Sequence, residues 1–136
     1  MEKIIVRVEW CDKNYGATVG DNVPGAMVVT ADTYEKLQKE VAESVRFHVE
    51  CLVEDGENVP QWLVDGDYEF DWQLDVSALI RVCEPYISLS ALSRETGINQ
   101  RQLSHYANGI KIPRSPQRIR IINGIHNIGR RLMTVV

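Results

Sequence analysis

The chain has 136 residues, 44% hydrophobic and 25% charged, a composition that excludes a wholly disordered polypeptide and leaves room for one ordinary domain or two small ones. No apolar run approaches the roughly 18 residues a membrane-crossing helix needs, and MEKIIVRVEW is too short for a secretory signal, so the expectation is a soluble cytoplasmic protein. The net charge of −4 hides an asymmetry: residues 1–75 hold 17 Asp and Glu against 6 Lys and Arg (net −11), whereas residues 76–136 hold 2 against 9 (net +7).

In KIIVRVEW (3–10), Ile4, Val6, Val8 and Trp10 alternate with Lys3, Ile5, Arg7 and Glu9, the period of two that marks a half-buried strand. CDKN (11–14) supplies a turn and YGATV (15–19) a returning strand; GDNVPG (20–25) is a loop and AMVVT (26–30) a third strand. Asp32 and Glu35 have the spacing of a capping box. From Tyr34 onward apolar residues fall at 34, 37, 41, 45, 49 and 52, predicting a helix that ends near EDGE (54–57). ENVPQW (57–62) reads as a loop. DGDYEFDWQLD (65–75) returns to alternation, with Tyr68, Phe70, Trp72 and Leu74 on one face and Asp67, Glu69, Asp71 and Asp75 on the other.

Such a row of carboxylates suits a solvated edge that discourages aggregation, or the docking of a cationic protein. Two-metal nuclease chemistry, drawing on Asp12, Asp67, Glu69 or Asp71, requires acids that converge from different elements, which one strand does not provide. His48 sits at the edge of the helical stripe with no second ligand in register, and Cys11, Cys51 and Cys83 show neither CxxC spacing nor a nearby His. No metal site, disulfide framework, catalytic residue or cofactor is therefore expected.

Residues 3–75 resemble the HicB antitoxin family. The Pro24-Gly25 turn, the helix ending in Glu54-Asp55-Gly56-Glu57 and Pro60 beyond it are the elements that carry the likeness. The resemblance implies a truncated ribonuclease H-like β-β-β-α-β fold that is not itself a nuclease, and that neutralises a small basic HicA-type toxin that cleaves mRNA. A toxin that holds RNA must be cationic, and an acidic partner is what its electrostatics require.

In the basic half, Val76, Leu79, Ile80 and Cys83 recur at helical spacing until Pro85. Ser88 is a suitable N-cap for a second helix that ends at Gly97, where a positive φ is cheap; Ile98 is the apolar turn residue. Asn99 caps the next helix with Gln102 at N3, and Leu103 and Tyr106 face inward. Ser115-Pro116 starts a last helix with apolar positions at 119, 122, 125, 128 and 132, in which Gly124 or Gly129 predicts a break. The run 76–133, with Asn108-Gly109 and Pro113, resembles the Cro/lambda-repressor type of helix-turn-helix domain. By match to that motif Asn99, Gln100, Arg101 and His105 read base edges, and Ser104, Asn108, Lys111 and Arg114 touch phosphate.

The expected fold class is thus α+β: a β-β-β-α-β domain over 1–75 and an all-α helix-turn-helix domain over 76–136. Screening within about 8 Å lets the basic domain meet a polyanion despite the acidic one. The expected function is that of an antitoxin and not of an enzyme: it binds a HicA-type toxin and, as a homodimer or higher oligomer, represses its own operon on operator double-stranded DNA. The alternative is a stand-alone dimeric transcriptional regulator whose N-terminal domain dimerises or binds a ligand.

Overall fold

The alternating stretch at the start of the chain forms β1 (Glu2–Cys11), in which Ile4, Val6 and Val8 are buried while Lys3, Arg7 and Glu9 face water. The computed structural model describes all 136 residues and is a mixed α+β structure, a four-stranded mixed sheet with six helices. It divides into two compact units, Met1–Asp75 and Val76–Val136.

In the first unit β1 turns back through Asp12 and Lys13 into β2 (Asn14–Val19), with Cys11 opposite Asn14. Asp12 holds φ 60°, the left-handed region that an Asp tolerates better than most residues. β3 (Val28–Ala31) pairs antiparallel with β2, and β4 (Tyr68–Leu74) lies parallel to β1, giving the order β3-β2-β1-β4. A parallel neighbour needs a long crossover. Between β3 and β4 it is supplied by α1 (Tyr34–Glu54) and the short α2 (Gln61–Val64). The α1 stripe Leu37, Val41, Val45 and Val49 is buried with the inward face of β1 and β2.

Three local expectations need correction. The N-cap of α1 is Thr33, whose Oγ1 accepts from the Lys36 N–H at 3.1 Å; Asp32 instead pairs with the Lys36 ammonium at 3.2 Å, so no Asp32–Glu35 capping box starts this helix. ENVPQW is not all loop: the Pro60 carbonyl accepts from the N–H groups of Leu63 and Val64, and Leu63 is buried. β3 lies two residues later at its start than AMVVT suggested. The α1 C-terminus does close at Gly56 (φ 74°), where the Glu57 N–H returns to the Leu52 carbonyl at 3.0 Å. His48 is a tether: its Nε2 donates to the Pro24 carbonyl at 2.5 Å, tying α1 to the loop before β3.

The second unit consists of α3 (Val76–Cys83), α4 (Leu89–Thr96), α5 (Gln100–Ala107) and α6 (Ser115–Thr134). Val76, Ile80, Leu92, Ile98, Leu103, Tyr106 and Ile121 form its core. Contrary to the expected break, α6 runs unbroken for 20 residues. A Cβ at Gly124 would lie 2.6 Å from Thr96 Cγ2, so this glycine lets α6 approach α4; at Gly129 a Cβ would meet nothing. Packing of the apolar stripe outweighs the roughly 1 kcal/mol that each glycine costs a helix. The α6 N-cap position is Arg114, not Ser115, which is already helical, and no side chain caps it.

Candidate nucleic-acid interface

Two eight-residue helices meet at a turn in which each residue has a job set by its chemistry. Ser88 Oγ accepts from the Ala91 N–H at 3.0 Å and starts α4. Gly97 ends α4 at φ 73°, and Ile98 is buried just beyond it. Ser93 Oγ donates to the Ile98 carbonyl at 2.6 Å, and Thr96 Oγ1 accepts from the Ile98 N–H at 3.2 Å, so α4 side chains hold both backbone groups of the turn residue. Asn99 Oδ1 then accepts from the Arg101 N–H at 2.8 Å and opens α5. Gln102 does not complete a capping box; its amide donates to the Tyr106 hydroxyl at 3.0 Å.

With Leu103, Tyr106 and Ala107 buried, the other face of α5 is left for a ligand. Beside it lies an open groove of about 650 Å³, lined by Asn99, Arg101, Gln102, His105 and Lys111 together with Gln117 and Arg120 of α6. Lys111 is brought there because the loop after α5 turns back: the N–H groups of Ile110 and Lys111 both donate to the His105 carbonyl, at 2.9 and 3.4 Å. His105 Nδ1 is buried with no hydrogen-bond partner, an unmet polar atom at the groove wall.

No carboxylate lines the groove. The two acids of this unit are occupied elsewhere: Glu84 pairs with Arg81 at 3.4 Å, and Glu95 accepts both Arg131 nitrogens at 2.7 and 3.1 Å. Arg101, Lys111 and Arg120 are in none of the ion pairs. Their mutual repulsion is unrelieved by the protein, and an anion would relieve it.

Of the residues singled out from the sequence, Asn99, Arg101, His105 and Lys111 come together in this groove. Gln100 is exposed at the start of α5 and Arg114 at the start of α6, both outside its lining. Ser104 and Asn108 are occupied with one another: the Asn108 amide donates to the Ser104 carbonyl at 3.0 Å and Oγ at 3.4 Å, while its oxygen accepts from Arg81. Arg81 also donates to the Ala107 carbonyl at 3.3 Å, so Asn108 belongs to a clasp between α3 and the end of α5. Gln117 and Arg120 were not singled out. They stand one helical turn apart beside the core residue Ile121, but only packing shows which way that face turns.

The carboxylates of the first unit behave differently. Asp67 precedes β4 and is exposed, with its N–H donating to the Trp62 carbonyl at 2.9 Å. Glu69 stands opposite Lys3 on β1 and pairs with it at 3.7 Å. Asp71, half-buried opposite Ile5, accepts from the Gln73 amide at 3.3 Å. Asp12 lies beyond the far end of β1, seven residues past the level of Asp71, a separation of roughly 23 Å at strand rise. Acids so far apart cannot share a metal pair. No group of three or more His, Cys, Asp and Glu side chains in the structure could hold a metal ion. The Cys11 thiol, which donates to Glu9 at 3.3 Å, and the Cys83 thiol, half-buried, are both raised above the ordinary thiol value, the first mainly by that hydrogen bond to a carboxylate and the second by burial. Neither is disposed to act as a nucleophile. No helix is long and apolar enough to cross a membrane.

Compared with protein-family models, with curated proteins and with solved structures, the chain matches none.

Proposed function

We propose that this chain is a HicB-type antitoxin, in which residues 76–136 form a Cro/lambda-repressor-type helix-turn-helix domain that binds operator DNA and residues 1–75 form a truncated ribonuclease H-like domain that binds a basic HicA-type toxin. The observation that carries the DNA half is the groove beside α5, where Asn99, Arg101, His105 and Lys111 converge without a carboxylate. Arg can bind guanine O6 and N7 together and Asn can pair adenine, so the exposed start of α5 has the donors that reading a major groove requires. Two such helices in a homodimer, about 34 Å apart, meet successive turns of a duplex. The antitoxin half is supported by the net −11 of residues 1–75 and by a strand order with the helical crossover the resemblance calls for. Covering a toxin's RNA-binding face requires no catalysis.

Co-expression of the chain with the product of an adjacent short, basic reading frame tests the whole. The expected outcome is relief of growth arrest and a complex that co-purifies; reversing Asp67, Glu69 and Asp71 to Lys together should weaken that complex while leaving DNA binding intact. One observation favours the second reading, a stand-alone dimeric regulator: Lys3 and Gln73 already engage two of those three acids. Under that reading the neighbouring frame is unrelated, and the triple reversal changes no partner.

A further inference from the structure

Arg120 is held against the turn between α4 and α5 by two independent features. Its Nη1 donates to Gln117 Oε1 at 3.0 Å, one helical turn back on α6, and its Nη2 lies 3.3 Å from where a Cβ at position 97 would stand. Gly97 therefore meets two demands: its φ of 73° favours glycine, and its missing side chain leaves room for the guanidinium. The result is an exposed cation fixed over the entrance to α5, with one of its five N–H donors used within the protein and no carboxylate in the groove it lines.

We propose that Arg120, positioned by Gln117, is an anchor for a backbone phosphodiester of DNA; this rests on the DNA-binding reading and adds a site to it. Arg120 comes from a different helix from the base-reading candidates and lies at the turn, not on the exposed face of α5. A duplex laid along α5 brings a sugar-phosphate strand past the elements that flank that helix, where contacts set register without reading sequence. A planar guanidinium with donors left over suits the oxygens of a phosphate better than a single base edge reached across the groove. Lys111 and Arg101 add positive charge on the same groove, so the phosphate enters a field of one sign.

The test uses the full chain and two duplexes of equal length, one from the DNA upstream of its own gene and one with that sequence scrambled. Binding is followed by fluorescence anisotropy across a salt series, and thermal melting checks that each variant is folded. R120Q should weaken binding to both duplexes by the same factor and reduce the slope of log affinity against log salt by about 0.9, the loss of one phosphate contact. R120K should retain that slope with a smaller loss of affinity, because charge remains and the fork does not. Q117A should also retain the slope, with a modest loss, because it only frees the guanidinium. Arg101→Ala, in contrast, should shrink the ratio between the two duplexes.

An R120Q protein with unchanged affinity and slope overturns the anchor while leaving DNA binding by α5 standing. A loss confined to the native duplex also overturns it, since Arg120 would then be reading bases. If the unaltered chain binds neither duplex at low salt, the anchor and the DNA-binding reading fall together. R120M, similar in stem length and neutral, repeats the measurement should R120Q melt early, and is judged by the same outcomes.

Discussion

Three carboxylates at β4 (Asp67, Glu69 and Asp71) and three cations in the groove beside α5 (Arg101, Lys111 and Arg120) are equal in number and opposite in setting. Along β4 the parallel neighbour supplies Lys3 opposite Glu69, and the strand's own Gln73 donates to Asp71, so two of the three carboxylates have a partner within the sheet. Beside α5 the protein uses Glu84 and Glu95 on Arg81 and Arg131, and no carboxylate pairs with the groove cations. Net charge says which unit could meet a polyanion; the placement of counter-charges says where. An acidic stretch is a weaker pointer to a docking surface than its count of carboxylates suggests, because a neighbouring strand can set an opposite charge beside an outward-facing acid, as Lys3 does for Glu69.

The largest expected effect comes from removing the scaffold under one set of charges. Leu103 is fully buried beneath α5, and Leu103→Ala should destabilise the second unit by about 2–5 kcal/mol, abolishing DNA binding. Circular dichroism melting, read alongside tryptophan fluorescence, checks the contrast: all three tryptophans, Trp10, Trp62 and Trp72, lie in residues 1–75, so their transition should stay where it is while the helical signal falls early. A common shift of both would mean that the two units unfold together. Next in size is Arg101→Ala, expected to cost about 1–3 kcal/mol on the native duplex and to relax sequence preference, with toxin capture unaffected. Competition titrations with single-base variants of the duplex would measure it, and an unaltered preference would remove Arg101 from the readers. The smallest is a double-mutant cycle on Lys3 and Glu69. Their side chains are 63% and 55% exposed, so the coupling should be only about 0.2–1 kcal/mol and should fade with added salt. A coupling within error would return Glu69 to the pool of acids available to a partner.

Much of the framework was legible because its causes are local. The alternation in β1 and in β4, the α1 stripe at Leu37, Val41, Val45 and Val49, and the glycine that ends α4 each follow from spacing or from a conformation only a few residues accept. Local rivals were harder to separate. Asp32 and Thr33 are both competent caps, and the choice fell to Thr33 while Asp32 took the Lys36 ammonium. The four-residue α2 carries too short a pattern to show a period. At the candidate site Asn99, Arg101, His105 and Lys111, singled out by the motif, line one groove. The Arg81 partner of Asn108 is 27 positions away, and the turn that Arg120 faces belongs to another helix, so neither contact is legible from spacing.

The sequence by itself determined where charge changes sign, which residues form the apolar stripes of β1 and α1, and that α4 ends at a glycine with positive φ. These depend on the chemistry of neighbours within a few positions, and such neighbours are fixed as soon as a strand or helix forms. The tertiary structure alone decided that Gly124 serves a close approach instead of a break, that Lys3 engages Glu69, and that Gln117 holds Arg120 over Gly97. Each of these is a meeting of groups from different elements or different turns, set by register and packing, and packing distances do not appear in the order of residues.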